Sequence, residues 1–371
     1  MSSKKAIATA ITPPRMLLVG VYAPNNKSIS QQDHYDEFLS LVKTLGSEYV
    51  ETHFIKLRSI DKARFLTKGK LHEVIELCQK LNIEEVMFSD NLSPMQERNM
   101  EDLIGCKVYG RQQLILEIFK QAAHTAEGKI QIEMAELDFF KTRIAGKGID
   151  LAQQAGYVGT RGPGESQKEY ITRFLNEKVR QARKRLKTLQ RTREIQRKHR
   201  LGTKIPLICL VGYTNSGKST ILNTLTKSSI LAEDKLFATV DTTTRELYLN
   251  KTKIGLISDT VGFISQLPHH LIEAFKSTLD ELNYAHLLLH VVDISNHAWK
   301  NQITVVQETL ESLGVSDKKT LYVFNKVDKI PEEEKVELLE QLEVFQPHVV
   351  THAKSKDGLS ELIEYLIASK L

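Results

Sequence analysis

Apolar residues in the first third of the chain alternate between short unbroken runs and helical spacing. Met16-Leu17-Leu18-Val19-Gly20-Val21 is a run of strand length. From about residue 33 to 45, Tyr35, Phe38, Leu39, Val42 and Leu45 fall on one helical face. Glu48 to Leu57 predicts a second strand, Leu71 to Leu81 a second helix, and Glu85-Val86-Met87-Phe88-Ser89 a third strand. A helix is expected to start at Ser93, with Pro94 in its first turn where proline is favoured. Lys107-Val108-Tyr109 is a fourth strand, followed by a helix through Leu114-Ile115-Leu116-Glu117-Ile118-Phe119. Strands alternating with helices predict a parallel α/β domain over residues 16–124, behind a loose polar tail at 1–15.

The pattern then changes. Ile130, Met134, Leu137 and Ile144 keep coiled-coil spacing, and Leu175, Val179, Ala182, Leu186 and Leu189 step by four, three, four and three. Two long helices packed as an antiparallel hairpin would bury both stripes, over residues 125–202. The second, roughly 169–200, would be about 48 Å long at the α-helical rise. Between them lie Gly146-Lys147-Gly148 and Gly156-Tyr157-Val158-Gly159-Thr160-Arg161-Gly162-Pro163-Gly164-Glu165, too rich in glycine for a regular element. From 203 to 371 apolar strands return, at Pro206–Val211, Ile254–Ser258, Leu287–Val292 and Tyr322–Phe324, with a last helix around Leu359–Ile367. The fold class is therefore α/β at both ends with a helical hairpin between.

Charge singles out the hairpin. The 371-residue chain carries a net +5, but residues 121–200 hold 18 Lys and Arg against 9 Asp and Glu, a net +9 that leaves −4 for the rest. Arg183, Arg185 and Arg193 lie among the polar positions of the second helix. With Tyr157 for stacking and Arg161 for phosphate contact at the tip, the hairpin suits a folded RNA. A solvated helix and a simple glycine-rich linker are the bland alternatives. No apolar run has transmembrane length, and the first residues form no clear signal peptide. Cys78, Cys106 and Cys209 fit no metal spacing and are expected as reduced thiols in the cytoplasm.

The chemistry sits in the last part. Gly212-Tyr213-Thr214-Asn215-Ser216-Gly217-Lys218-Ser219 fits G-x-x-x-x-G-K-[ST], between a buried strand and a helix beginning with Thr220. Backbone N–H groups there would cradle phosphates, Lys218 would reach the β and γ phosphates, and the Ser219 hydroxyl would ligate Mg²⁺. Asp259-Thr260-Val261-Gly262 is D-x-x-G, giving a second magnesium group in Asp259 and a γ-phosphate contact in the Gly262 N–H. In Thr242-Thr243-Thr244 we expect Thr244, with Thr243 next, to complete the magnesium shell from a mobile loop; ordinary strand composition is the alternative. Asn325-Lys326-Val327-Asp328 is N-K-x-D, whose carboxylate accepts from guanine N1–H and its 2-amino group. Three motifs in order, each at a strand's C-terminal end, predict a GTPase. Phe263 follows D-x-x-G where Ras-like proteins place a water-orienting glutamine. Another group must orient the water, or a partner must complete the site. Asn215 stands where several GTPases lacking that glutamine use an asparagine to hold K⁺, so potassium activation is a hypothesis.

These residues resemble the HflX family of translation-linked GTPases. The likeness rests on Asp259-Thr260-Val261-Gly262-Phe263-Ile264, Leu267-Pro268-His269 and Gly159-Thr160-Arg161-Gly162-Pro163-Gly164-Glu165. Asn91-Leu92-Ser93-Pro94, Gln96, Arg98-Asn99 and Glu127-Gly128-Lys129 extend it, over roughly residues 16–371. The resemblance implies an N-terminal α/β domain, a helical hairpin and a Ras-like P-loop GTPase domain. It further implies binding of GTP and GDP, contact of the hairpin with the large ribosomal subunit and its rRNA, and dissociation or rescue of stalled ribosomes under stress. A monomer is expected. A ribosome assembly factor that times release by hydrolysis, and an ATP-driven RNA remodeller in the first domain, are the competing readings. The family's guanine loop Ser-Ala-Lys reads His352-Ala353-Lys354 here, with the Ala353 N–H expected at guanine O6. The glycine run at the tip reads Ala155-Gly156-Tyr157, and the further C-terminal domain of some relatives is expected to be missing.

Overall fold

The computed structural model describes residues 14–26, 30–144, 167–201, 205–226, 236–237, 243–267 and 280–369. They divide into two compact units, one drawn from 1–27 and 46–114, the other from 28–45 and 115–371.

The first unit is built on β1 (Met16–Tyr22), β2 (Glu51–Lys56), β3 (Glu85–Phe88) and β4 (Lys107–Tyr109). These pair in the order β2-β1-β3-β4, all parallel. Leu17, Val19, Val86 and Phe88 are fully buried in one core cluster with Val74 and Met100, from the helices at Lys68–Leu81 and Pro94–Ile104. The latter helix starts where Ser93 and Pro94 predict. The Ser93 hydroxyl accepts from Gln96 N and the Gln96 side chain accepts from Ser93 N, a reciprocal pair that satisfies two otherwise orphan donors.

The helix α1 (Gln31–Leu45) belongs to the second unit, although its sequence neighbours are strands of the first. Numbering on, α2 and α3 are the two helices just described, α4 is Arg111–Ala122, α5 Ala126–Ile144 and α6 Gln167–Leu201. α5 and α6 form the expected antiparallel hairpin: Glu133 meets Arg185 at 2.5 Å, while Leu137 and Ile144 cluster with Ile171, Leu175 and Val179. Buried Leu137, Ile144, Leu175, Val179 and Ala182 agree with the sequence stripe; Ile130, Met134, Leu186 and Leu189 are only half-buried. α5 also buries Ile132, Ala135 and Phe139, a second stripe that a two-helix pattern does not anticipate. The glycine-rich tip, with Tyr157 and Arg161, lies outside the described residues.

The second sheet holds β5 (Leu207–Gly212), β6 (Thr243–Leu249), β7 (Thr252–Asp259), β8 (Leu287–Asp293), β9 (Thr320–Asn325) and β10 (His348–Val350). Its order is β10-β9-β8-β5-β7-β6, parallel except for β6 against β7. Ile208, Leu210, Leu289, Val291, Leu321 and Val323 are fully buried from three adjacent central strands, the near-continuous apolar runs that a sheet covered on both faces requires. Helices α7 (Lys218–Thr226), α8 (Trp299–Ser312), α9 (Glu332–Leu342) and α10 (Ser360–Ala368) connect or follow these strands. Among the described residues no helix is long and apolar enough to cross a membrane, and the three cysteines are free thiols.

Leu175 is fully buried in the hairpin seam. Leu175→Ala is expected to cost about 2–5 kcal/mol. It should appear as lost amide-exchange protection confined to α5 and α6, with β5–β9 unchanged.

Candidate functional site

β5 ends in the glycine-rich loop because its last residue must leave the sheet sharply. Gly212 has φ +150°, and a Cβ there would stand 2.2 Å from the Val291 carbonyl oxygen. Gly217, at φ +100°, faces Asn325 so closely that a Cβ would meet its Nδ2 at 2.2 Å. Asn215 takes φ +60°, which asparagine tolerates. Both glycines are therefore demanded by geometry as well as by the motif.

The loop's polar groups converge. Lys218, 6% exposed at the start of α7, donates to Gly212 O at 3.1 Å and Tyr213 O at 2.7 Å. Burial pulls its ammonium down to about 8; the Asp259 charge opposes this and Lys326 adds to it. The Thr214 and Ser216 hydroxyl oxygens are buried without a hydrogen-bond partner. Such groups are costly to leave unmade, and a ligand in this loop would give them partners. Thr220 follows in the first turn of α7.

Ser219 Oγ donates to Asp259 Oδ2 at 2.6 Å. A hydroxyl and a carboxylate brought together beside a helix N-terminus form the hard oxygen pair Mg²⁺ prefers, so these two residues fit the metal. Gly262 lies on the same loop: a Cβ there would be 2.9 Å from Thr214 Cα and 3.1 Å from Lys218 Nζ. Phe263 is buried at 2%, and only its backbone takes part. Its N–H donates to Gly212 O at 3.1 Å, and its carbonyl accepts from Thr214 N at 2.8 Å.

The guanine motif joins the phosphate loop through Asn325. Asn325 Nδ2 donates to Ser216 O at 2.9 Å, while Oδ1 accepts from Ala353 N at 3.1 Å. The Ala353 N–H expected at guanine O6 thus already has an acceptor, which the base would share or replace. Lys326, at φ +66°, donates to Asn215 O at 2.8 Å and pairs with Asp293 at 2.6 Å. Asp328 accepts from Lys354 at 2.7 Å, and that bond holds its carboxyl below the usual range, so it is ionised at neutral pH. His352 is accommodated by Gly358, where a Cβ would be 2.1 Å from His352 O and 2.5 Å from its ring.

One expectation needs correcting. Thr244 is not in a loop. It is the second residue of β6, paired opposite Ser258, with its Oγ1 3.2 Å from Ser258 Oγ, which donates on to Glu281 at 3.0 Å. A β-branched residue in an antiparallel ladder is well placed as strand, and its hydroxyl is turned to the neighbouring strand. Thr242 lies outside the described residues. Sequence reasoning also missed Asp293, legible only as the last residue of a strand at the ligand edge. It missed the direction of Tyr213, whose phenol donates to Glu37 of α1, 176 positions away. No local signal marks that pairing.

The chain is similar to known proteins along most of its length. Residues 32–120 match the family model described as GTP-binding GTPase N-terminal, and 122–200 the GTP-binding GTPase middle region. Residues 207–326 match the 50S ribosome-binding GTPase model. GTPase HflX of Lacrimispora saccharolytica is 42% identical over 95% of this chain and 82% of its own length. GTPase HflX of Escherichia coli strain K12 is 39% identical over 92% and 76%. A solved GTP-binding protein of Sulfolobus solfataricus in complex with GDP is 24% identical, covers 96% of this chain and 98% of its own, and has a TM-score of 0.46. With its two α/β sheets, its hairpin and its phosphate and guanine motifs, the chain belongs to the HflX family and is a GTP hydrolase.

Proposed function

We propose that this GTPase docks on the large ribosomal subunit through its basic hairpin and uses magnesium-bound GTP to dissociate or rescue stalled ribosomes. What supports this most is that one compact unit holds both the nucleotide motifs and α6, whose Arg183, Lys184, Arg185, Lys187 and Arg191 are exposed. Arg185 is paired with Glu133, but an exposed ion pair is worth little and yields readily to phosphate. The match to the 50S ribosome-binding GTPase model points to the same partner.

Lys218 and the amides of 212–219 bind the β and γ phosphates, Asp328 and Ala353 take guanine, and Lys326 props the loop between them. Ser219 and Asp259 would hold magnesium, which would supply positive charge to neutralise the phosphates. The Gly262 N–H distinguishes GTP from GDP. With the Phe263 side chain buried, no side chain at that position orients the attacking water. Asn215, whose carbonyl is held by Lys326, would hold K⁺ at the phosphates. GTP can bias ribosome binding only by its differential affinity for two conformations, so rRNA and GTP must favour the same one.

Asp328→Asn should weaken GTP binding by about a hundredfold and favour xanthosine triphosphate, because the amide complements a 2-oxo group. Unchanged GTP affinity by calorimetry would refute the guanine assignment. Hydrolysis at constant ionic strength should be faster in KCl than in NaCl and lose that preference in Asn215→Ala; equal rates in both salts would remove potassium from the site. Sedimentation of intact ribosomes should show free subunits with GTP and not with GDP. A shift of the large subunit alone would favour the assembly-factor reading. Neutralising Arg183, Arg185 and Arg193 together should weaken ribosome binding and flatten its log–log salt slope by roughly 2 to 3.

A further inference from the structure

Tyr213 is buried at 5%, in a loop position whose backbone alone would suffice to cradle phosphate. Its ring fills space that phenylalanine would fill equally well. Its oxygen does something more specific. It accepts from Ser265 N at 2.8 Å, lies 2.8 Å from Ser265 Oγ, and donates to the Glu37 carboxylate. Burial, and then the Glu37 charge, push the phenol well above its ordinary value, so it remains the donor towards Glu37.

Ser265 belongs to the segment that begins with Gly262. That segment is fixed to the phosphate loop at Gly212 and Thr214 through the backbone of Phe263. The Tyr213 oxygen is a side-chain tie to the same segment, beyond Phe263. Asp33, Asp36 and Glu37 of α1 line a cavity of about 310 Å³ with Tyr213, Asn215 and Ser265. The phenol is thus held between α1 and the segment carrying the γ-phosphate contact.

We propose that Tyr213 is a positioning residue for γ-phosphate recognition: its phenolic oxygen, oriented by Glu37 of α1, holds the Gly262–Ser265 segment where the Gly262 N–H meets GTP. The inference rests on the nucleotide reading above. It has a selective consequence. GDP has no γ-phosphate for Gly262 to contact, so loosening this segment leaves GDP affinity alone. GTP binding must then also supply the cost of ordering it.

The test is equilibrium affinity for a non-hydrolysable GTP analogue and for GDP, measured on the full chain. Tyr213→Phe should weaken the analogue by about tenfold, the worth of a buried hydrogen bond, and GDP by less than about twofold. Glu37→Ala, which leaves Tyr213 in place, should give the same selective loss. The double variant should lose no more than either single one, as expected for residues acting through one network. Glu37→Gln, which keeps an acceptor, should restore most of the affinity. Equal weakening of both nucleotides, a tighter analogue, no change, or additive losses would overturn the proposal. If the wild-type protein bound guanine nucleotides no better than their adenine counterparts, the underlying reading would fail instead.

Discussion

The side-chain amide of Asn325 is the point on which the nucleotide site depends. It donates to the phosphate loop and accepts from the guanine loop, so one planar group sets the distance between the two halves of the ligand. Aspartate would lose the donor to Ser216 O, and an apolar residue would leave that carbonyl and the Ala353 amide buried and unmet. The amide approaches Gly217 so closely that no side chain fits there. Lys326, the next residue, extends the brace to Asn215 and Asp293. The first glycine of the loop answers a separate constraint, the Val291 carbonyl on β8. Four segments distant in sequence thus share one sheet edge, where parallel strands leave their polar ends for a ligand.

The same economy explains what the site lacks. The residue after Gly262 is spent on structure: Phe263 buries its ring and uses both backbone groups to hold the phosphate loop. A glutamine in that place would have to put a polar side chain into the pocket the ring fills, or leave it and give up that burial. Rigidity of the loop and orientation of water compete here for one position, and rigidity has it.

How much of this was legible depends on how local each signal is. β1, β3, β5 and β8 are mostly apolar runs, and burial in a covered sheet produces that pattern whatever the neighbours are. Ser93 and Pro94 declare a helix start because capping involves only adjacent residues. Gly212, Gly217, Lys218 and Asp328 follow from motif spacing, since each motif lies within one short segment. Thr244 shows where this fails. A threonine run suits strand and loop alike, and only the register against β7 settles it. α1 fails differently: its amphipathic face is plain, but periodicity does not name the partner. Ile132 and Phe139 on α5 are buried for the same kind of non-local reason.

The hairpin and the nucleotide site are joined by little chain. α6 ends at Leu201, β5 begins at Leu207, and β5 ends at Gly212 of the phosphate loop. A close-packed central strand transmits displacement instead of absorbing it, because the interior has few voids to take up a shift. β5 lies between β7, which ends in Asp259, and β8, which ends in Asp293. Under the proposed RNA contact, force on α6 would bear on the strand that carries the phosphate loop, flanked by the strands that end in Asp259 and Asp293. A loop on the surface would dissipate such a force within its own flexibility. With a basic helix followed in sequence by a buried strand and the phosphate loop, the proposed ribosome contact would act on the phosphates without any contact between RNA and nucleotide.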